Sequence, residues 1–261
     1  MEDLRITIIQ TELHWENASA NRQMFEKHFE NSTPPADIII LPEMFTTGFT
    51  MNASANAETM DGETVDWMCN WSEKKNCIIT GSIIIKDNSS YFNRLIWMKP
   101  DGNFETYDKR HLFRLSGEEK IFAAGEKKLI ASAKGWKICP LICYDLRFPV
   151  WSRRTSQQDY DVLIYIANWP ERRITAWKQL LPARAVENQS YVIGVNRIGR
   201  DGNDVLHTGE SSVFNFRGEK ISRTEPEKES VETILLSYSD LENFRSRHPF
   251  HLDADGFELL K

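Results

Sequence analysis

Cysteine is scarce: Cys69, Cys77, Cys139 and Cys143 are the only four in 261 residues. That is too few to staple a chain of this size, and no C-x-x-C pair or H-E-x-x-H stretch accompanies them, so neither a disulfide framework nor a metal site is expected. Basic residues are not in excess either. Lys and Arg number 32 against 38 Asp and Glu, a formal net charge of −6, which argues against a nucleic-acid partner, whose phosphates call for a basic face. No window approaches the uninterrupted apolar length of a membrane span. The opening "MEDLRITIIQ" is acidic and enters a strand pattern directly, without a signal-peptide layout. A cytoplasmic protein with reduced thiols is the expectation, and Cys69 and Cys77 read as core or surface fillers.

Linkers are missing as well. No Pro/Gly/Ser-rich break, internal repeat or low-complexity stretch divides the chain, so residues 1–261 read as a single domain, with a surface tail or dimer contact from about 240. What is present is a series of apolar, β-branched runs at 4–10, 36–43, 77–85, 161–168, 190–197 and 211–218. Such runs suit strands buried on both faces. Helical patterns at 19–30, 62–76 and 176–189 alternate with them, the last with Pro182 expected to kink it or move its start. "KPDGNF", "GRDGND" and "FRGEK" read as hairpins. The mixture implies α/β layers whose sheets include antiparallel pairs.

Three residues suited to acyl transfer each follow a strand-like run. Glu43 ends "DIIILPE", Lys109 follows "GNFETYD", and Cys143 ends the apolar run of "LICYDLRFPVW". The carboxyl ends of strands are where open α/β sheets place ligands. Taken singly, each has a plain reading as a surface acid, a solvated lysine or a buried thiol. Together they supply a nucleophile, a base to generate its thiolate, and a cation for a developing oxyanion. His111 lies close to Lys109, and by residue chemistry alone a Cys–His arrangement stays open.

Four segments in order, "LPEMFTTGF", "YDKRHLF…GEEKIFAAGE", "ICYDLRFP" and "ANWP…W…LLPARAVENQSYVIGVNR", resemble the nitrilase, or carbon–nitrogen hydrolase, superfamily over nearly the whole chain. "DKRHLFR" followed by "GEE", "CYDLRFPVWSR" and "FRSRHPFHLDAD" are most similar to the bacterial omega-amidases, which act on 2-oxoglutaramate and 2-oxosuccinamate. The resemblance implies a four-layer α-β-β-α sandwich, a homodimer paired through helices, a small-molecule amide substrate and no cofactor. Other substrates of the same superfamily (nitriles, N-carbamoyl compounds, acyl amides) are the alternative.

The resemblance also implies roles. Glu43 becomes the general base, Cys143 the nucleophile, and Lys109 with the Tyr144 backbone N–H the oxyanion donors. A second glutamate belongs beside the lysine, and "GEEK" offers Glu118 or Glu119, with the count back from Gly125 favouring Glu118. Glu187 is read instead as a helix-surface partner of Arg184. The turn at Cys143 is expected to be strained. A helix starting at Pro149 is expected to add positive potential near the thiol, and His111 becomes a packed loop residue. An α-keto carboxylate calls for a guanidinium. Arg172 is the first choice, with Arg173, Arg147 and Arg114 as rivals, and Trp169 and Phe45 are expected as pocket walls.

Overall fold

The computed structural model describes residues 1–31 and 35–259. The first half of the chain runs through β1 (Leu4–Gln10), α1 (Ala18–Asn31), β2 (Ile38–Ile40), α2 (Ala53–Asn56), α3 (Glu63–Lys75), β3 (Ile78–Asp87), β4 (Ser90–Met98) and β5 (Phe104–Asp108). The second half continues with β6 (Ala131–Ala133), β7 (Trp136–Ile142), α4 (Pro149–Ser152), β8 (Val162–Ala167), α5 (Ile174–Asn188), β9 (Tyr191–Asn196), β10 (Ile198–Arg200), β11 (Leu206–Thr208), β12 (Ser212–Phe214), β13 (Ser230–Leu236) and α6 (Tyr238–Arg247). One sheet has the order β13-β1-β2-β3-β4-β5 and the other β12-β9-β8-β7-β6, while β10 and β11 form a separate ribbon. The strands at the centre of each sheet are parallel (β1, β2 and β3; β7, β8 and β9) and the flanking pairs are antiparallel.

Strand periodicity explains the layering. In β1 and β2, Leu4, Ile6, Ile8, Ile38 and Ile40 share one core with Ile138, Leu141, Ile164 and Ile166 of the other sheet, so two sheets pack face to face. The alternate residues Ile9 and Ile39 turn the other way, onto Phe25 and Phe29 of α1 and Val65, Trp67 and Trp71 of α3. Trp177, Leu181 and Ala185 of α5, with Leu241 of α6, join the core of the second sheet. Gly194 of β9 makes room for that helix, since a Cβ there would lie 2.5 Å from a Leu181 methyl. The result is an α-β-β-α sandwich.

Several boundaries differ from the sequence pattern, each for a local reason. The run at 36–43 keeps ladder structure only over Ile38–Ile40, because Pro42 has no N–H and the backbone turns at Met44, φ 43°. The run at 211–218 ends at Phe214, where an Asn215–Gly218 turn carries Asn215 N–H to Glu219 O at 2.9 Å. Helix α5 starts at Ile174 and passes through Pro182. The tail placed at about 240 begins inside α6, whose buried Arg245 pairs with Asp161 at 2.7 Å; the described residues beyond it are exposed.

Candidate active site

Glu43, Lys109 and Cys143 come from three strand ends, in two sheets, that the sandwich brings to one point. Glu43 follows β2 across Pro42, and the turn behind it is pinned by Met44 N–H on Ser82 Oγ (2.9 Å) and Phe45 N–H on Ser82 O (3.0 Å). Lys109 leaves β5 beside Asp108, whose carboxylate is gripped by Arg94 of β4 through Nε (2.7 Å) and Nη2 (2.9 Å). Its own N–H goes to Asn93 O at 3.0 Å. Cys143 directly follows β7 and opens a short 3-10 turn, Cys143–Arg147, at φ 44°. The strained backbone expected at this turn is therefore present.

Lys109 and Glu43 are shut away from solvent, and Lys109 Nζ donates to Glu43 Oε1 at 2.8 Å. It also donates to both oxygens of Glu118, at 2.9 and 3.0 Å. Glu118 is fully buried and takes a further N–H from Phe113 at 2.6 Å. Glu119 is only partly buried and does not reach the lysine, so Glu118 is the second glutamate of the cluster. Glu43 is held from the opposite sheet too. Its Oε2 accepts the Asn168 backbone N–H at 2.8 Å, its main-chain oxygen accepts Asn168 Nδ2 at 2.5 Å, and Asn93 Nδ2 shares Oε1 at 2.8 Å.

Burial sets the electrostatics. It works against the Lys109 charge, but Glu118 and then Glu43 more than offset it, holding the ammonium well above its ordinary pKa. Burial pushes the Glu118 carboxyl up, with Lys109 opposing and Glu43 adding to the rise. The half-buried Cys143 thiol faces Glu43 within hydrogen-bonding reach. Burial first, then the Glu43 charge, raises it well above a free thiol, and Lys109 pulls the other way. At rest Cys143 is thus a neutral thiol beside a carboxylate able to take its proton.

These groups open onto a cavity of about 560 Å³. Lys109, Cys143, Tyr144, Trp169 and Arg172 line it, as the sequence led one to expect. Tyr144 is the second residue of the 3-10 turn, where first-turn N–H groups have no acceptor within their own helix. Phe45 does not line it. The turn at Met44 sends that ring into the buried layer beneath α1 and α3, edge-on to Phe25 at 5.6 Å, and Phe49 takes the wall position, its ring 5.0 Å from Lys109 Nζ. Three guanidinium groups face the cavity: Arg147 over the Trp169 ring (4.9 Å), Arg173 over Phe113 (4.7 Å), and Arg172 exposed at the rim. None of the three forms an ion pair among the described residues. Burial, then Arg172, lowers the Arg173 pKa. Arg114 is exposed and lies outside the cavity lining.

The remaining expectations resolve locally. His111 lies outside the cavity lining, with Nδ1 2.7 Å from Asp145 Oδ1. Glu187 pairs with Arg184 at 3.0 Å, spaced i, i+3. Helix α4 does start at Pro149, but its single turn, Pro149–Ser152, offers little of the dipole anticipated there. Asn93, Asn168 and Phe49 were not read from the sequence. Asn93 had a usable signal, an amide in the otherwise strand-forming "SYFNRLIWM", where asparagine is disfavoured unless its polar group has a task.

A thiol, a carboxylate and an ammonium meeting at strand ends of an α-β-β-α sandwich define a class, that of the thiol hydrolases of carbon–nitrogen bonds. Residues 5–246 match the family described as carbon-nitrogen hydrolase. The chain is 44% identical over 260 residues, covering 100% of both sequences, to an omega-amidase of Yersinia enterocolitica. It is 33% identical over 197 residues, 74% of this chain and 76% of the relative, to a 2-oxoglutaramate amidase of Bacillus subtilis. A crystal structure of a CN-hydrolase superfamily protein from Xanthomonas campestris, with an arsenic adduct in its active site, superposes with a TM-score of 0.95 at 42% identity, covering 99% of this chain and 100% of that one. The chain belongs to the carbon–nitrogen hydrolase family and is a hydrolase of amide bonds.

Proposed function

We propose that the protein is an omega-amidase, converting short α-keto acid amides such as 2-oxoglutaramate and 2-oxosuccinamate to the dicarboxylic keto acid and ammonia. The observation that carries the reading is the buried Glu43–Lys109–Glu118 chain of contacts against Cys143, beside a cavity that also presents guanidinium groups with no ion pair among the described residues. Full-length identity to an omega-amidase supports the substrate class.

In this mechanism Glu43 takes the Cys143 proton as Sγ attacks the amide carbon. Lys109 Nζ and the Tyr144 N–H stabilise the resulting oxyanion, an interaction worth roughly 10²–10³ in rate for each donor. The intermediate collapses with cleavage of the C–N bond, and Glu43 returns the proton to the leaving nitrogen, releasing ammonia. Water then attacks the thioester, giving its proton to Glu43. Collapse releases the carboxylic acid and the proton goes back to the thiol. Glu118 holds Lys109 against Glu43 throughout and keeps it charged.

At the far end of the substrate a cavity guanidinium meets the α-keto carboxylate. Arg172 sits at the rim and Arg173, half-buried, lies deeper by exposure, so Arg173 joins Arg172 as the clamp. Trp169 walls the same end. Four free cysteines suit action in the cytoplasm. Pairing of two copies through the helical layer belongs to the same reading. Ammonia release from 2-oxoglutaramate and 2-oxosuccinamate, measured against glutamine, N-carbamoyl amino acids and simple nitriles, tests the proposal. A preference for any of the latter would overturn it.

A further inference from the structure

A left-handed φ of 44° at Cys143 persists only where the surroundings over-determine it. The group that does so is Asp145. Its fully buried carboxylate collects four donors: Ile142 N–H (3.0 Å) and Tyr107 Oη (2.7 Å) on Oδ2, His111 N–H (3.0 Å) and His111 Nδ1 (2.7 Å) on Oδ1. Ile142 directly precedes the thiol, and Tyr107 and His111 flank Lys109 two residues to either side. One carboxylate therefore ties the turn that carries the nucleophile, in one sheet, to both sides of the ammonium that comes from the other.

We propose that His111 and Asp145 are positioning residues for amide hydrolysis, His111 donating Nδ1–H to Asp145 so that Cys143 Sγ is held in register with the Lys109 ammonium. The inference rests on Cys143 being the nucleophile. The competing view is that His111 matters only as a flat ring, since it stacks on Phe148 at 3.8 Å between centroids and 8° between planes. The two views separate chemically. A buried carboxylate needs its oxygens met by donors, so on our reading the N–H counts; for packing, the ring counts.

His111→Phe keeps a ring for the stack and removes the donor, whereas His111→Asn loses the ring but puts an amide N–H close to where Nδ1 stood. Turnover of 2-oxoglutaramate and alkylation of Cys143 by iodoacetamide are the readouts. His111→Phe should lower kcat roughly ten- to a hundred-fold, the scale of misplacing a reacting group by about an ångström, with KM little changed and a slower alkylation. His111→Asn should restore most of the rate. Asp145→Asn should lose as much as His111→Phe, because its amide nitrogen would meet donors in place of an acceptor. Wild-type kcat in His111→Phe, or a loss in His111→Asn as deep as in His111→Phe, overturns the proposal. If His111→Phe does not fold, His111→Asn decides alone: retained turnover supports the donor role and loss of turnover refutes it. Ammonia release by Cys143→Ala would instead overturn the nucleophile assignment, whatever the His111 pair showed.

Discussion

Replacing Lys109 by methionine keeps the length of the side chain and removes one charge from between two carboxylates. The ammonium makes three contacts, 2.8 Å to Glu43 and 2.9 and 3.0 Å to Glu118, all out of reach of solvent. Glu43 would retain Asn93 and Asn168 as donors, but among the described residues Glu118 would keep only the Phe113 N–H. Removing one member of a buried charged set costs about 3–5 kcal/mol, because the partners stay buried and uncompensated. Loss of an oxyanion donor lowers the rate by roughly 10²–10³ in addition. The two effects can be separated. Glu118→Gln added to Lys109→Met removes the stranded charge, so thermal unfolding should recover much of the lost stability while ammonia release stays depressed. The sign of the pH dependence follows from Glu118, whose carboxyl is already raised by burial and would rise further without the lysine. A carboxyl raised in the folded state costs stability wherever the unfolded acid is ionised. The deficit of the single variant should thus grow from pH 5 to pH 8. A double variant no more stable than the single one, or a deficit independent of pH, would refute the account of Lys109 as the counter-ion of two buried acids.

Cys143→Ala and Cys143→Ser should both abolish ammonia release and leave the fold intact by circular dichroism; activity surviving in Cys143→Ala but lost in Cys139→Ala would reassign the nucleophile. Glu43→Gln should cut turnover by about 10²–10⁴, the usual worth of a general base, and yet move the Cys143 thiol back toward its ordinary range. The carboxylate it removes is the second cause, after burial, of that thiol's elevation, so thiolate absorbance should appear at lower pH than in the wild type. Arg173→Ala and Arg172→Ala should each be compared on 2-oxoglutaramate and on a neutral short amide. The clamp residue should lose roughly ten- to a hundred-fold in kcat/KM on the keto acid alone, the worth of one charge-assisted contact. Equal losses on both substrates would mean the arginine supports the site without reading the carboxylate.

Local sequence determined which elements form and where their chemistry sits. The β-branched runs at 4–10 and 161–168 became β1 and β8 almost to the residue, because a strand buried on both faces leaves an unbroken apolar record. Placing Glu43, Lys109 and Cys143 at strand ends followed from the same record, since each apolar or strand-like run stops just before or at the residue concerned. The choice of Glu118 over Glu119 and the wall formed by Trp169 were also legible, given the family motif. Phe45 was not, because a single left-handed residue, Met44, breaks the alternation on which any facing argument depends. Nor could the sequence show that Asn168, 125 residues away and just past β8 of the other sheet, would hold Glu43 by two hydrogen bonds. The same holds for Asp145, whose carboxylate joins Tyr107, His111 and Ile142. Contacts of that kind arise from how two sheets stack, which sums many weak side-chain packings over the whole interface, and no local pattern encodes the resulting register. Composition and periodicity thus specify the strands and their reactive ends, whereas the acidity of the thiol, the charge on Lys109 and the depth of each arginine exist only once burial has brought those ends together.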